Sequence, residues 1–362
     1  MRICFIAPAD NYHTKKWCNW FINNGNEVHV ISFINDKIDG ALIHYIETGA
    51  KANSSDKQKL EYLKHGKDIR RLVKEIKPDI VNAHYASSYG VVTALSGIRN
   101  YYLSVWGTDI YEFPNKSIFH KALIKYSLKK AKYIMSTSKA MADETHKYTN
   151  KQIEITPFGV DMQLFNPNKR TRANDGLFVV GNVKALSAKY GIDCLLKAVS
   201  IVCNNRPDIP INVRIAGKGP EEYSLKKLAK DLCIDDRVVW LGFIPQSKAA
   251  EEWANFDIGV ISSLSESFGV SAIECQASGI PVIITDPLGL QEATNPGVTA
   301  IVISKNNSEA IAQSIIDLYD HPEKRLKMGN AGRTFVLETY ELNHCFHKIS
   351  ELYMKNMNSS NR

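Results

Sequence analysis

Two runs of alternating strand and helix, separated by a polar break, set the tightest limit on the fold. Short β-branched runs stand at RICFIAP, EVHVISF, DIVNAHY and YYLSVWG, then at KYIMSTS and QIEITPFG, with helical stretches such as DKQKLEYLKHGKDIRRLVKEI between them. The stretch NPNKRTRANDG, residues 166–176, interrupts the pattern. It restarts with LFVVGNV, DCLLKAVSIVC, INVRIAG, a helix from Glu221 to Leu232 and VVWLGF, and continues through DIGVISS, PVIITD and AIVIS to a long helical tail. Strands that alternate with helices pair in parallel, so the expectation is α/β, with two doubly wound sheets joined across residues 161–176. Ligands of such sheets bind beyond the carboxyl ends of the strands, and the cleft between the domains is the expected site.

A chain of 362 residues can support two cores, and 44% hydrophobic with 23% charged residues is a globular composition. No apolar run approaches the roughly 20 residues of a membrane-spanning helix. The opening MRICFIAPAD turns polar too soon for a signal peptide and reads as a first strand. Cys4, Cys18, Cys194, Cys203, Cys233, Cys275 and Cys345 are scattered, odd in number and never in C-x-x-C spacing, which argues against structural disulfides and a zinc site and for a reducing cytosol. The net charge of +7 is lopsided: 23 Lys and Arg face 15 Asp and Glu up to Val160, and 22 face 23 after it. The first half is therefore suited to an anionic partner, with solubility alone an equal explanation.

One segment, SESFGVSAIECQASGIPVIITD (residues 265–286), concentrates chemistry. A strand ends in a polar loop, a helix begins around Phe268–Ser271, and Gly279 and Pro281 stop it. The first amides of that helix, at Gly269, Val270 and Ser271, together with its dipole, make an anion site suited to a diphosphate. Gly269 would let a phosphate approach the backbone. Glu266 could accept hydrogen bonds from sugar hydroxyls. Glu274, leaning back toward the helix start, could accept from vicinal hydroxyls such as those of a ribose. On spacing alone, a capping Glu266 and a surface Glu274 remain the leading alternative.

The longer segment SLSESFGVSAIECQASGIPVIITD resembles the E-x7-E signature of the retaining glycosyltransferases of family 4. The resemblance implies the GT-B fold: two Rossmann-like domains facing each other across a cleft, with a C-terminal helix crossing back to the first. It assigns the donor sugar to Glu266, the ribose to Glu274, and the diphosphate to the backbone of the Ser267, Phe268, Gly269, Val270 and Ser271 run. ITPFGVDMQLFNP resembles the family's interdomain crossing, with Phe158 where Asn is usual. RIAGKGPEE resembles its Gly-x-Gly-Pro turn and brings in Gly217. VVWLGFIPQ resembles the base-recognising loop, implying backbone contacts near Phe243 and Ile244, and HCFHKISELYMK resembles the returning helix. In VVGNVKALSAKYGID, Lys189 matches the family's lysine, and Lys184 is the nearest substitute for an arginine that is not in register. A lysine offers a point charge where arginine offers a fork. Two lysines and a helix N-terminus could carry the leaving group's charge, so neither a metal nor any other cofactor is expected.

Signals in the first half are looser. LSVWGTDIY resembles the strand ending in His-Gly-Thr-Asp, with Trp106 in place of the histidine. Asp109 keeps its position, to contact the acceptor or to hold the loop through an Asx-type turn. His84, in VNAHYASSYG, is expected just past a strand end and facing the cleft, although a lone histidine is more often structural. Asn11, His13, Thr14 and Lys15 could line the acceptor side, or could be a plain polar loop before a helix starting at Lys16. NKSIFHKALIKYSLKKAKYI carries Lys116, Lys121, Lys125, Lys129, Lys130 and Lys132 without an acid. Such a helix can lie on anionic lipid or can simply be solvated; nucleic acid is disfavoured for want of a motif.

The expected protein is a metal-independent retaining glycosyltransferase, moving a sugar from a nucleoside diphosphate donor, UDP foremost, to a glycan or lipid-linked acceptor in cell-surface polysaccharide or lipopolysaccharide synthesis. It would work at the cytoplasmic face of the plasma membrane. The expected domains are 1–165 for the acceptor, 166–340 for the donor, and a returning helix at 341–362. A sugar-nucleotide epimerase of the same architecture, and a non-catalytic nucleotide-sugar-binding subunit, remain as alternatives.

Overall fold

The computed structural model describes residues 1–49, 60–173 and 175–360. They form two compact units, one of residues 1–158 with 346–362 and the other of residues 159–345.

The first unit holds a parallel sheet of strands β1 (Arg2–Ile6), β2 (Glu27–Ser32), β3 (Leu42–Tyr45), β4 (Ile80–His84), β5 (Tyr102–Val105), β6 (Tyr133–Ser136) and β7 (Ile153–Ile155) in the order β3-β2-β1-β4-β5-β6-β7. Its helices are α1 (Tyr12–Asn23), α2 (Gly66–Ile76), α3 (Tyr89–Ser96), α4 (Thr108–Tyr111), α5 (Ile118–Lys130) and α6 (Lys139–Thr145). The second unit's sheet contains β8 (Phe178–Val183), β9 (Ile211–Ala216), β10 (Val238–Gly242), β11 (Ile258–Ile261), β12 (Val282–Thr285) and β13 (Ala300–Ile303), also parallel, in the order β10-β9-β8-β11-β12-β13. Around it lie α7 (Ile192–Asn205), α8 (Glu222–Asp231), α9 (Gln246–Asn255), α10 (Val270–Ala277), α11 (Leu288–Glu292), α12 (Ser308–Asp320) and α13 (Pro322–Tyr340), and α14 (Leu342–Ser360) ends the described chain.

The apolar pattern explains the layers. Every residue of β4 is buried, as are Ile3 to Ile6 of β1, as expected of strands covered on both faces. Helix α7 turns Leu195, Leu196, Val199 and Val202 into the second core, and each leucine so buried contributes about 2 kcal/mol. In the first unit, Phe346 of α14 stacks on Trp20, and Tyr353 stacks on Phe21 and accepts a hydrogen bond at its hydroxyl from Asn82 (2.7 Å). Each sheet reverses its winding once, between β1 and β4 and between β8 and β11. The loops leaving those strands open a crevice at the carboxyl edge, which is where a doubly wound sheet takes its ligands.

Several sequence expectations are corrected. The boundary falls between Phe158 and Gly159, ahead of the break at 166–176. That break is no loose linker: Arg170 and Arg172 pair with Asp257 (3.3 and 2.6 Å), and Asn255 accepts from the amides of Thr171 and Arg172. Helix α1 begins at Tyr12 rather than Lys16, because the Asn11 side chain caps it by accepting from the amides of His13 and Thr14 (2.8 and 3.2 Å). Strand β3 was not anticipated; it is a four-residue edge strand with Leu42 and Tyr45 exposed. The helix expected over 56–76 is a 3-10 turn at Leu60–His65 followed by α2, and its start lies outside the described residues.

Candidate functional site

The crevice between β8 and β11 gathers the charged candidates of the second unit. Lys184 follows β8 directly, its amide bonding to the carbonyl of Ala216 at the end of β9 (2.9 Å). Glu266 lies in the loop after β11. The Lys184 ammonium meets the Glu266 carboxylate at 2.5 Å, with both side chains only 11% exposed. The ring of Tyr190 lies beneath the Lys184 Nζ at 4.5 Å from its centroid and beneath the Lys189 Nζ at 5.2 Å. Burial works against the charge of Lys184, but Glu266, Tyr190 and Glu274 outweigh it and hold its pKa above the ordinary lysine value. Lys184 is thus a cation paired with Glu266, its charge further favoured by Glu274.

The loop that carries these lysines is pinned on both flanks. Leu264 donates its amide to the carbonyl of Lys189 (2.8 Å), and Ser262 donates its hydroxyl to that of Tyr190 (3.2 Å). Across from it, Gly217 has φ +151, and a Cβ there would stand 1.8 Å from the carbonyl oxygen of Lys184. Only glycine lets the turn after β9 lie this close to the Lys184 backbone.

Helix α10 starts beside the ion pair. Its approach through Gly269 has φ +86, and a Cβ there would crowd Leu290 and Ala293 at 2.9 and 3.2 Å. Backbone conformation and packing on α11 therefore require this glycine, where the sequence suggested room for a phosphate. Ser271 bonds the carbonyl of Val183 through its hydroxyl (2.9 Å) and locks the helix start to the end of β8. Phe268 is buried against Tyr340, while Ser267 and Val270 are half-buried. Glu274 is 5% exposed and acts electrostatically on Lys184, which overturns the surface-residue alternative. After β10, Phe243 is 75% exposed and Ile244 half-buried, so an aromatic ring stands out at the end of the edge strand.

The first unit's candidates fall into two groups. His84 is the last residue of β4 and fully buried among Phe5, Trp17 and Trp106, with ring centroids at 5.2, 5.1 and 4.1 Å. The pleat turns it inward, against the expectation of an open position past the strand. Among the described residues, neither ring nitrogen has a hydrogen-bond partner, nor do His13 Nδ1, Thr14 Oγ1 and Trp17 Nε1. Burial lowers the pKa of His84 well below the ordinary value; burial, Lys16 and His84 do the same to His13, which stacks on Phe158 at 3.7 Å. Trp106 closes this aromatic cluster. Asp109 holds loops together: its buried carboxylate accepts from the amides of Ala86 (2.8 Å), Gly107 (2.8 Å) and Trp106 (3.2 Å), tying the turn after β4 to that after β5. Burial raises its pKa and those amides counter the rise.

Two family descriptions match this sequence, glycosyl transferase 4-like over residues 2–138 and glycosyl transferases group 1 over residues 166–335. The chain is a group 1 glycosyltransferase. A D-inositol 3-phosphate glycosyltransferase of Pseudarthrobacter chlorophenolicus is 29% identical over 325 residues, covering 81% of this chain and 75% of the relative. An N-acetyl-alpha-D-glucosaminyl L-malate synthase of Bacillus anthracis is 25% identical over 285 residues, covering 76% and 74%. Among solved structures, Anabaena HepE in complex with UDP-glucose superposes with a TM-score of 0.80 at 17% identity, covering 98% of this chain and 100% of that one. The two sheets are thus those of the GT-B fold.

Two residues of the glycosyltransferase escaped the sequence reading. Tyr190 was passed over although it sits next to Lys189; an aromatic directly before Gly191 was the available signal. Tyr85 has φ +67, a conformation a bulky side chain rarely takes, and its hydroxyl accepts from the Asn11 side chain at 3.1 Å. Nothing in the sequence marks it beyond its place after a strand. Among the described residues, no helix is long and apolar enough to cross a membrane, and no three His, Cys, Asp or Glu side chains group to hold a metal ion.

Proposed function

We propose that this enzyme is a retaining glycosyltransferase that uses a UDP-sugar and needs no metal. The observation that carries the reading is the Lys184–Glu266 pair beside the start of α10, with Glu274 in reach of the same charge. In this scheme the diphosphate lies against the first amides of α10, and Lys184 and Lys189 share its charge. Glu266 accepts from a hydroxyl of the sugar and Glu274 from the ribose. The bond from the anomeric carbon to the phosphate oxygen breaks, and the acceptor oxygen bonds that carbon on the same face. The departing phosphate oxygen takes the acceptor proton, so atoms and charge balance without a protein nucleophile. The complex of HepE with UDP-glucose supports the donor class. Thermal shift against UDP, GDP, ADP and their sugars tests it: a UDP compound at a hundred times its Kd should add about 2.7 kcal/mol of stability. Transfer should persist in a chelator and keep the anomeric configuration by NMR. A preference for GDP or ADP would overturn the donor assignment, and donor turnover without an acceptor would favour an epimerase.

We further propose that the acceptor is a glycan or lipid-linked chain used in cell-surface polysaccharide synthesis, reached at the cytoplasmic face of the membrane. Helix α5 supports the membrane part. Ile118 and Phe119, 89% and 55% exposed, lead a face that continues through exposed Lys121, Lys125 and Lys129. Apolar anchors beside lysines suit an anionic lipid surface, at about 1 kcal/mol per lysine. Vesicles of anionic lipid should float the protein, and a Lys121→Glu, Lys125→Glu, Lys129→Glu variant should stay behind. Flotation equal on neutral lipid would remove this claim.

A further inference from the structure

Lys184 and Lys189 reach one aromatic ring from two points of the loop after β8. Tyr190 closes a 3-10 turn at Ala188–Tyr190, and its ring centroid lies 4.5 Å from the Lys184 Nζ and 5.2 Å from the Lys189 Nζ. The ring has a fixed seat. Its side chain packs on the second core, its amide bonds the carbonyl of Ser187 (2.9 Å), and its carbonyl accepts from the Ser262 hydroxyl just after β11 (3.2 Å). Leu186, between the two lysines, bonds the carbonyl of Lys218 through its amide and accepts from the amide of Glu221, both at 3.0 Å. The place of the ring is therefore set before any ligand binds. A lysine, by contrast, carries its charge on a flexible four-carbon stem and needs an anchor to hold one direction. Lys184 is held in two unlike ways. Glu266 engages the N–H groups of its ammonium at 2.5 Å, whereas the ring attracts the cation as a whole and takes up no particular N–H.

We propose that Tyr190 is a positioning residue, whose ring keeps Lys184 and Lys189 directed at the diphosphate while Glu266 changes partner. The inference rests on the reading above, in which the two lysines share the diphosphate's charge. When Glu266 accepts from a sugar hydroxyl it gives up part of its hold on Lys184. The ring keeps its own hold and leaves the ammonium's N–H groups to the phosphate oxygens. It thus supplies the fixed direction that an arginine's planar fork would carry by itself. The consequence is selective: the diphosphate's affinity depends on the ring, through the ordering of two side chains before binding, and the nucleoside's does not.

The test compares Tyr190→Leu, which keeps an apolar side chain against the core, with Tyr190→Phe, which keeps the ring. Calorimetry gives Kd for UDP, GDP and ADP on the full chain, and ligand-observed NMR gives it for uridine, guanosine and adenosine. The pair used is the one whose diphosphate binds the native chain most tightly. Tyr190→Leu should weaken that diphosphate about tenfold and leave its nucleoside within about twofold, and Tyr190→Phe should recover the diphosphate to within about threefold. A fall shared equally by diphosphate and nucleoside would make Tyr190 structural alone, and a Phe variant as weak as the Leu variant would move the effect to the hydroxyl; either overturns the proposal. A ligand-free measurement separates it from the donor reading. With the lysine Cε isotopically labelled, the ε-methylene protons of Lys184 and Lys189 should be shifted upfield by the ring in the native chain and in Tyr190→Phe, and lose that shift in Tyr190→Leu. Its absence from the native chain would overturn the proposal whichever nucleotide binds. Tightest binding by GDP or ADP would overturn the UDP assignment and leave this one standing.

Discussion

Lys184→Ala is expected to lower kcat/KM for transfer about a hundred- to a thousandfold, the effect of removing one charge stabiliser at a site where charge develops. It should also destabilise the second unit. The Glu266 carboxylate, 11% exposed and facing Lys184 at 2.5 Å, would be left buried without its cation. Breaking such a pair from one side costs about 3–5 kcal/mol, whereas replacing both partners by apolar groups can be nearly neutral. A Lys184→Met, Glu266→Leu double variant should therefore recover most of the melting temperature and none of the activity. Steady-state kinetics beside calorimetry separates the two effects. Activity that returns with stability would mean the pair is structural alone.

Acid should weaken the first unit steeply. His13 and His84 have pKa values well below 6.5 in the folded chain, with burial the leading cause for both. Below about pH 6.5 the unfolded chain takes up two protons that the folded chain refuses. Their stabilising contribution is full above that pH and is lost as pH falls through it, at up to about 2.7 kcal/mol per pH unit for the two together. Denaturant titrations between pH 7.5 and 5, followed by tryptophan fluorescence, check this. His84→Phe keeps the ring among Phe5, Trp17 and Trp106 and removes two unpartnered nitrogens. That variant should be at least as stable at pH 7.5 and show about half the slope; an unchanged slope would clear His84 of the effect.

The contrast between these two sites shows what the sequence made legible. The second unit's crevice was readable because its parts are local: a strand, a polar loop and a helix start lie within residues 258–277, and a lysine follows the neighbouring strand. The depth of Glu274 was not readable, since it depends on how α10 beds against the sheet. Tyr190 was missed because a ring placed under two ammonium groups is a product of loop geometry. In the first unit, the facing of His84 turned on a single step of pleat, which shifts a side chain from crevice to core. The break at 166–176 has a linker's composition. What fastens it is Asp257, far along the chain, and no local pattern could signal that pairing.

Because Lys184 already has Glu266 as its counter-ion, the proposed donor site would answer to two keys at once. A lone anion that draws the ammonium away strands a carboxylate in a place with little water. A molecule bearing both phosphate oxygens and sugar hydroxyls gives the lysine a new partner and the carboxylate new donors in one step. In the proposed scheme the ion pair would work as a coincidence gate, poorly opened by free phosphate and opened by a ligand in which anion and sugar are joined.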